Sequence, residues 1–340
     1  MPDSIKTKTK NALVTMAFPC LMWLIMDLLC LIKMNRHVLN TILDLQNFIR
    51  NTGISACTAL ALSYNLGFGR FDLSLGAQRM LVAILGGNIA IQIGLGTPGV
   101  ILFTLVFGFI FGGIVGLVFI ATRIPAMVLG VGMALVYECI AFVSSKSQGL
   151  QLFGVTGIGS LSNMYLTICV VIAAVLIVMI IDRYTKFGLY ARAINGSQRI
   201  ANSSGINIYK HAVGCYIIAG GLVSFSGIFD AAFRGGMDAQ LGFATNSPVM
   251  ANCFPMFLGK YMSRWSSDAV GILFSTMTIR LFQTGLSVIR VSATGQQVYT
   301  MSLFLLFLVF RANENIFQNH RDRKARIEAA SVRRSQLALM

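Results

Sequence analysis

The sequence contains few charged residues. Only 11% of its 340 residues are charged, and 56% are hydrophobic. A soluble globular domain has about 25% charged residues, and a mean hydropathy of +0.73 is high. These values exclude an ordinary soluble domain and indicate a chain that crosses a membrane several times. The net charge of +15 is therefore interpreted through its distribution along the chain, and not as a nucleic-acid signature.

Metal-ligating and disulfide-forming patterns are also scarce. The chain has seven cysteines and three histidines, and no C-x-x-C pair. Every cysteine lies in or beside an apolar run, which favours small thiols packed between helices over disulfides or metal ligands. We therefore expect no metal site.

The chain lacks the phosphate-binding sequence G-x-x-x-x-G-K-[ST]. The "FLGKY" segment around Lys260 has neither the earlier glycine nor a Ser or Thr after the lysine. No acyl-transfer triad is visible either. The chain is thus predicted not to be an enzyme and to bind no cofactor of its own, so active transport would require a separate ATPase.

Long apolar runs are what the sequence does contain. A membrane-spanning helix needs about 20 mostly apolar residues. The first run exceeds the hydrophobic region of a usual signal peptide and is followed by no A-x-A cleavage site, so we interpret it as an uncleaved helix. Ten candidate spans follow from this criterion: 12–32, 52–68, 74–94, 99–121, 125–144, 163–181, 212–232, 246–259, 266–288 and 295–310.

Lysine and arginine residues indicate the orientation of these spans. With ten alternating spans and the N-terminus inside, 19 lysine and arginine residues fall on the inner side and 6 on the outer side. This bias predicts that both termini are cytoplasmic. The predicted parts are a cytoplasmic N-terminus at 1–11, a transmembrane domain at 12–310 and a basic tail at 311–340, which we expect to lie near anionic lipid head groups.

A long polar loop at 183–211 interrupts the apolar runs on the predicted cytoplasmic side. Ser197 is a good N-cap, so Gln198–Ser204 is predicted to form about two helical turns that end at Gly205. Ile200, Ala201 and Ser204 are expected to share one face. Such a helix suits insertion into a cleft of another protein, but a plain connector anchored by positive charge has the same pattern.

The loop resembles a known family. The "FGLYARAINGSQRIANSSGINI" segment is similar to the cytoplasmic loop of the sugar-type permeases of ATP-binding-cassette (ABC) importers, the ribose, xylose and galactose group. In that family the loop holds the coupling helix that docks onto the ATP-binding subunit. The resemblance implies a coupling role for Phe187, Gly188, Tyr190, Ala193, Gly196, Arg199, Ala201, Gly205, Ile206 and Asn207.

Two further segments carry the same resemblance. Asp72–Gly76 within "GFGRFDLSLGA" resembles the family motif between the second and third spans, and Arg123–Pro125 resembles the start of its fifth span. The last third fits less well. The "FLGKYMSRWSSDAVG" segment at 257–271 stands where the family has a glycine-rich loop, which suggests a divergent subgroup.

The resemblance implies an all-α, type II ABC importer-like permease in the bacterial inner membrane. It implies alternating access driven by a separate ATPase that binds ATP and Mg. The expected partners are this ATPase, a second permease copy or a sister permease, an extracytoplasmic solute-binding protein and a small sugar substrate. No nucleic-acid partner is expected.

Polar residues at membrane depth are candidates for the translocation path. Asp72 could instead be only an N-cap for the helix that starts near Ser74, and Glu138 could instead pair with Arg79 or Arg280. The weak spans 52–68 and 246–259 contain polar or proline breaks, which often mark a substrate route. The path candidates are Asn65, Phe68, Asp72, Ser74, Glu138, Asn252 and Phe254.

Two other functions fit the residues alone. A secondary transporter coupled to protons or ions would use Glu138 and Asp72 as its coupling carboxylates. A membrane scaffold without transport is the other alternative. The loop motif favours the importer subunit.

Overall fold

The computed structural model describes residues 2–66 and 69–338, with side chains described at 13–66, 69–314 and 323. The chain forms two units, one ending at Val291 and the other beginning at Ser292. Within the described residues the helices are α1 (Pro2–Met34), α2 (Ile42–Leu66), α3 (Leu75–Ile93), α4 (Gly96–Thr122), α5 (Ala126–Ser144), α6 (Met164–Tyr184), α7 (Lys186–Gly196), α8 (Gln198–Ser203), α9 (Ile208–Arg234), α10 (Asn246–Met250), α11 (Cys253–Met262), α12 (Asp268–Val288) and α13 (Ala293–Ala338).

The remaining regular structure is small. A 3-10 turn covers Gly159–Ser162, and two short strands, β1 (Leu150–Gln151) and β2 (Gly236–Met237), pair antiparallel with Leu150 opposite Met237. The expectation of an all-α membrane protein is confirmed in this form, and the protein is a multi-pass membrane protein. The predicted tail at 311–340 continues α13 in its described backbone.

Among the described residues, seven helical segments are long and apolar enough to cross a membrane: Leu13–Met34, Gly96–Thr122, Ala126–Ser144, Met164–Tyr184, Ile208–Arg234, Asp268–Val288 and Ala293–Glu314. The predicted spans 52–68 and 74–94 correspond to α2 and α3, which are long but carry polar residues such as Asn65 and Arg79. The predicted span 246–259 is wrong as a single helix. It is divided into α10 and α11, because the chain turns at Ala251 and Asn252.

Close packing between α4 and α9 organises the core. A Cβ atom added at Gly108 would lie 2.6 Å from the Gly220 carbonyl oxygen, and one at Gly112 would lie 2.4 Å from that of Tyr216. Glycine allows this approach, as small residues do wherever membrane helices lie backbone to backbone. Dispersion between the closely packed backbones stabilises the α4–α9 contact, because lipid is as apolar as the helices and provides no hydrophobic driving force.

The first turn of α3 lies inside the helix bundle. The Gln78 side-chain amide donates a hydrogen bond to the Gly108 carbonyl oxygen at 3.1 Å, midway along α4. A Cβ at Gly76 would lie 2.4 Å from the Thr245 carbonyl oxygen, just before α10. The starts of α3 and α10 therefore meet in the interior of the described fold.

Adjacent glycines on α4 provide a test of this packing. Gly112→Ala should lower the thermal unfolding temperature of the detergent-purified protein by several degrees, because overpacking costs about 1–3 kcal/mol. Gly113→Ala is the matched control, since its Cβ would come no closer than 3.6 Å to Ile217. Equal unfolding temperatures for the two variants would contradict the proposed backbone contact.

Candidate functional site

The polar loop folds as two consecutive helices. The Ser197 hydroxyl accepts a hydrogen bond from the Ile200 N–H at 3.4 Å, and Gly205 has a φ of +81° just after α8. The predicted cap and stop residues are therefore confirmed, although α8 ends at Ser203 instead of Ser204. Helix α7 was not predicted. Its signal in the sequence was Thr185, because the Thr185 hydroxyl caps α7 by accepting a hydrogen bond from the Gly188 N–H.

Helix α7 is attached to the membrane helices by its buried face. The Phe187 ring stacks on His211 of α9, with 4.2 Å between ring centroids and an 11° interplanar angle. The Arg192 guanidinium donates a hydrogen bond to the Asp182 carbonyl oxygen at the end of α6. The Tyr64 hydroxyl of α2 donates to the Asp182 carboxylate at 2.9 Å. The Tyr64 ring also lies 6.5 Å from the Phe187 ring, so α2, α6 and α9 all contact α7.

Helix α8 presents a side chain outward from this support. Ile200 is 68% exposed, whereas Ala201 is only 2% exposed. The expectation that these two residues share one outward face is wrong, because Ala201 is buried and anchors the helix. The candidates divide accordingly: Gly188 and Ala201 are buried, Phe187 and Ile206 are half-buried, and Tyr190, Ala193, Gly196, Arg199, Gly205 and Asn207 are exposed.

A cavity of about 650 Å³ lies beside α7 and is called the loop-side cavity. Its wall includes Tyr64, Asp182, Arg192, Lys260 and Asp268. These residues come from α2, α6, α7, α11 and α12, and they are far apart in sequence. No local motif could have revealed the cavity, since it exists only where these helices converge.

Asp72 joins the end of α2 to the start of α3. Its carboxylate accepts hydrogen bonds from the Ser74 N–H at 2.8 Å, the Ser74 hydroxyl at 2.7 Å and the Asn65 amide at 2.9 Å. Asp72 thus acts on the cap residue Ser74, and not on the N–H groups of the first turn of α3. The structure brings the three candidates Asn65, Asp72 and Ser74 together, while Phe68 lies outside the described residues.

Glu138 is fully buried in the middle of α5. Its carboxylate accepts hydrogen bonds from the Phe243 N–H at 2.8 Å, the Thr245 hydroxyl at 2.6 Å and the Thr245 N–H at 3.4 Å. The predicted pairing of Glu138 with Arg79 or Arg280 is wrong. The loop before α10 enters the protein interior without helical hydrogen bonds, so its N–H groups need an acceptor there.

The two arginines have other partners. Arg79 pairs with Asp230 of α9 at 2.6 Å, and the Arg280 guanidinium donates to Ser55 and Gln283. Buried guanidinium groups need such acceptors, because an unpaired charge in an apolar interior is costly. The sequence shows which groups are charged but not which of them meet.

Asn252 and Phe254 lie at the break between α10 and α11. The Asn252 side-chain amide donates to the Pro248 carbonyl oxygen at 2.8 Å, which replaces a hydrogen bond lost at the break. Phe254 is 2% exposed. Neither residue lines the loop-side cavity, and a role for them in the path stays a prediction.

The long apolar helices, the chain breaks held by buried carboxylates and the exposed α8 together fit a membrane transport permease. The chain belongs to the family described as the permease component of the branched-chain amino acid transport system, whose profile matches residues 47–311. This match covers most of the described transmembrane helices.

Two of the relatives that follow are sugar permeases by name, and the third is an ABC transporter permease. The chain is 27% identical to the galactose/methyl galactoside import permease protein MglC of Haemophilus influenzae, over 78% of this chain and 86% of that protein. It is 23% identical to the ribose import permease protein RbsC of Escherichia coli K12, over 78% and 84% of the two chains. The inner membrane ABC transporter permease protein YjfF of the same strain is 24% identical over 70% and 74%.

A solved structure supports the fold alone. It is described as an inward-facing conformation of an ABC transporter assigned to the metal-chelate type. It aligns with a TM-score of 0.52 and 14% identity over 88% of this chain and 98% of that chain. The shared architecture is therefore that of an ABC transporter permease.

Substitutions at Glu138 test its hydrogen bonds to the loop before α10. Glu138→Leu removes every acceptor, so the unfolding free energy should fall by about 3 kcal/mol or more as the N–H groups of 243–245 lose their partner. Glu138→Gln retains one acceptor oxygen and a similar shape, and should lose less. Thermal unfolding and amide hydrogen exchange at Phe243 and Thr245 measure the difference. Unchanged exchange in Glu138→Leu would contradict the assignment.

Proposed function

We propose that this chain is the transmembrane subunit of an ABC importer in a bacterial inner membrane, and that it forms the path for a sugar or a sugar-like solute. A separate ATPase would drive alternating access. The observation that carries this proposal is the geometry of the polar loop. Helix α8 is exposed, and it follows α7, which α2, α6 and α9 hold in place. The named sugar import permeases among its relatives support the solute class.

The loop has the features that a docking element needs. Ile200 supplies an exposed apolar anchor, and Arg199 supplies an exposed positive charge beside it. The buried Ala201 and the left-handed Gly205 limit how far α8 can tilt. A rigid anchor loses less conformational entropy on docking, so it supports a stable contact with a partner.

Motion of the docked helix would reach the membrane through Phe187. Its ring stacks on His211 of α9 and lies 6.5 Å from the Tyr64 ring of α2, and its carbonyl oxygen lies 3.2 Å from the His211 Nε2 atom. A displaced α7 would therefore push directly on two membrane helices. This contact gives the ATPase a mechanical connection to the path.

The partners in this proposal are an ATPase that holds ATP and Mg, a second permease and an extracytoplasmic solute-binding protein. The proposal includes ten spans with both termini cytoplasmic, because α2, α3 and the α10–α11 pair would cross the membrane inside a protein environment. Their polar residues would then face other helices and not lipid, as Asn65 and Arg79 do in their buried positions.

Proton or ion coupling through Glu138 and Asp72 has less support. Both carboxylates accept several hydrogen bonds that hold chain breaks together. A coupling carboxylate must bind and release its ion during each cycle, and doing so here would remove the structural acceptors. A proton-coupled mechanism predicts uptake without ATP that a protonophore abolishes.

Substitution of Ile200 tests docking. Ile200→Asp should reduce co-purification of the ATPase subunit about tenfold or more, because a charge would replace the central apolar anchor. Arg199→Glu and Gly205→Val should weaken it as well, and ATP-dependent uptake should fall in parallel. Leu241→Asp is the matched control, since Leu241 is an exposed apolar residue in the loop before α10. Retained ATPase binding in all three loop variants would refute the proposed function.

Substitution of Phe187 separates docking from transmission. Phe187→Ala should leave the ATPase bound, since α8 keeps its exposed face, but it should lower ATP-dependent uptake several-fold because the ring contact with His211 is lost. Uptake and co-purification are measured on the same preparation. Phe142→Ala, which truncates an exposed phenylalanine near the end of α5, should change neither. Normal uptake in Phe187→Ala would exclude this route.

A further inference from the structure

A second cavity, called the distal cavity, lies at the end of α9 opposite the polar loop. It has a volume of about 410 Å³ and is lined by residues of α3, α9, α10 and the two short strands with their flanking loops. This volume falls within the range of small-molecule sites. The predicted path candidates that lie within the described residues do not line it.

The charged residues in its wall balance one another. Asp230 accepts from Arg79 at 2.6 Å and from Arg234 at 2.9 Å, so one carboxylate holds two guanidinium groups. Asp238 supplies a second negative charge in the described lining. Two arginines and two aspartates leave no net charge, so the wall offers neither cations nor anions a general electrostatic attraction.

The remaining lining is suited to hydroxyl groups. Gln151 and Gln240 are exposed side chains that can both donate and accept hydrogen bonds. Phe153 is 91% exposed at the same wall and offers an aromatic face for apolar C–H groups. Gly235 and Gly236 add backbone without side chains, so a solute can approach closely. This combination matches a solute that has many hydroxyl groups and an apolar ring face.

The floor of the distal cavity is the meeting point of the two interior helix starts. Gly76 and Thr245 line the cavity and lie in contact with each other. Next to Thr245, Asn246 is 3% exposed, and neither its Nδ2 nor its Oδ1 atom has a hydrogen-bond partner within the described residues. A buried amide without a hydrogen-bond partner costs about 1–3 kcal/mol. We therefore expect a hydrogen-bonding group of a ligand to pair with the Asn246 amide.

We propose that the distal cavity binds a neutral polyhydroxylated solute. Gln151 and Phe153 contact the solute, Gln240 lies at the edge of the site, and the Gly76–Thr245 contact closes the floor beneath it. When the starts of α3 and α10 separate, the Asn246 amide becomes available to the hydroxyl groups of the passing solute. This inference rests on the proposed importer function, because it assigns the solute site of that path.

Solute protection of an introduced thiol tests the site. The variant Gln240→Cys is reconstituted in proteoliposomes with its ATPase and its solute-binding protein, and it is labelled with a membrane-impermeant maleimide. The wild-type protein, with its own seven cysteines, provides the background. D-ribose, D-galactose or myo-inositol at twice its dissociation constant should slow labelling about threefold, as expected for simple occupancy. Ribose 5-phosphate should not, because the wall has no excess positive charge.

Controls separate occupancy from indirect effects. Gln92→Cys carries its thiol at an exposed position of α3 outside the distal cavity, so its labelling should be unaffected by any of these solutes. Adding Gln151→Ala or Phe153→Ala to Gln240→Cys should raise the sugar concentration needed for protection. Unchanged labelling of Gln240→Cys with all three neutral solutes would overturn the proposal. Equal protection by ribose 5-phosphate would overturn the solute class.

The same proteoliposomes distinguish this inference from the proposed function. ATP-dependent sugar uptake without thiol protection would refute the distal solute site but would agree with the proposed importer function. Thiol protection without ATP-dependent uptake would refute the importer mechanism but would agree with the proposed binding site.

Discussion

The hydrogen bonds from Phe243 and Thr245 to Glu138 impose the constraint on which the interior depends. Backbone N–H groups inside a membrane protein have no water to bind, so each break in a helix needs an acceptor from elsewhere in the fold. Glu138 supplies it for the loop before α10, and Asp72 supplies a similar one for the segment before α3. Two carboxylates therefore allow two chain segments to begin helices within the bundle.

This arrangement places the two cavities at opposite ends of one connected set of helices. The start of α10 rests on Gly76 of α3, and Asp72 joins the segment before α3 to Asn65 of α2. Tyr64 then connects α2 to Asp182 beside α7. Each step is a direct contact, so a movement of α7 has a continuous packed route toward the floor of the distal cavity. Tight glycine contacts between α4 and α9 give the surrounding frame close packing, which deforms little.

Local chemistry explains which predictions succeeded. Ser197 and Gly205 act through neighbours within a few residues, so cap and turn preferences identified both ends of α8. The Asn65–Asp72 contact was also within reach, because only seven positions separate the two residues. Helix α7 was missed because its short apolar face, with Phe187 and Ile194, resembles a connector until α2, α6 and α9 cover it. The outward face of α8 was misassigned for the same reason: the direction of Ala201 depends on what lies beneath it.

The sequence by itself determined that this is a polytopic membrane protein and that a basic loop with a short capped helix divides it. Periodicity, capping and charge bias are local or additive properties, which is why they could be read along the chain. Only the tertiary structure decided the partners of Glu138, Arg79 and Arg280, the division of the 246–259 segment and the existence of both cavities. A buried charge takes whichever partner the packing of distant helices brings within hydrogen-bond distance, and no linear pattern records that distance.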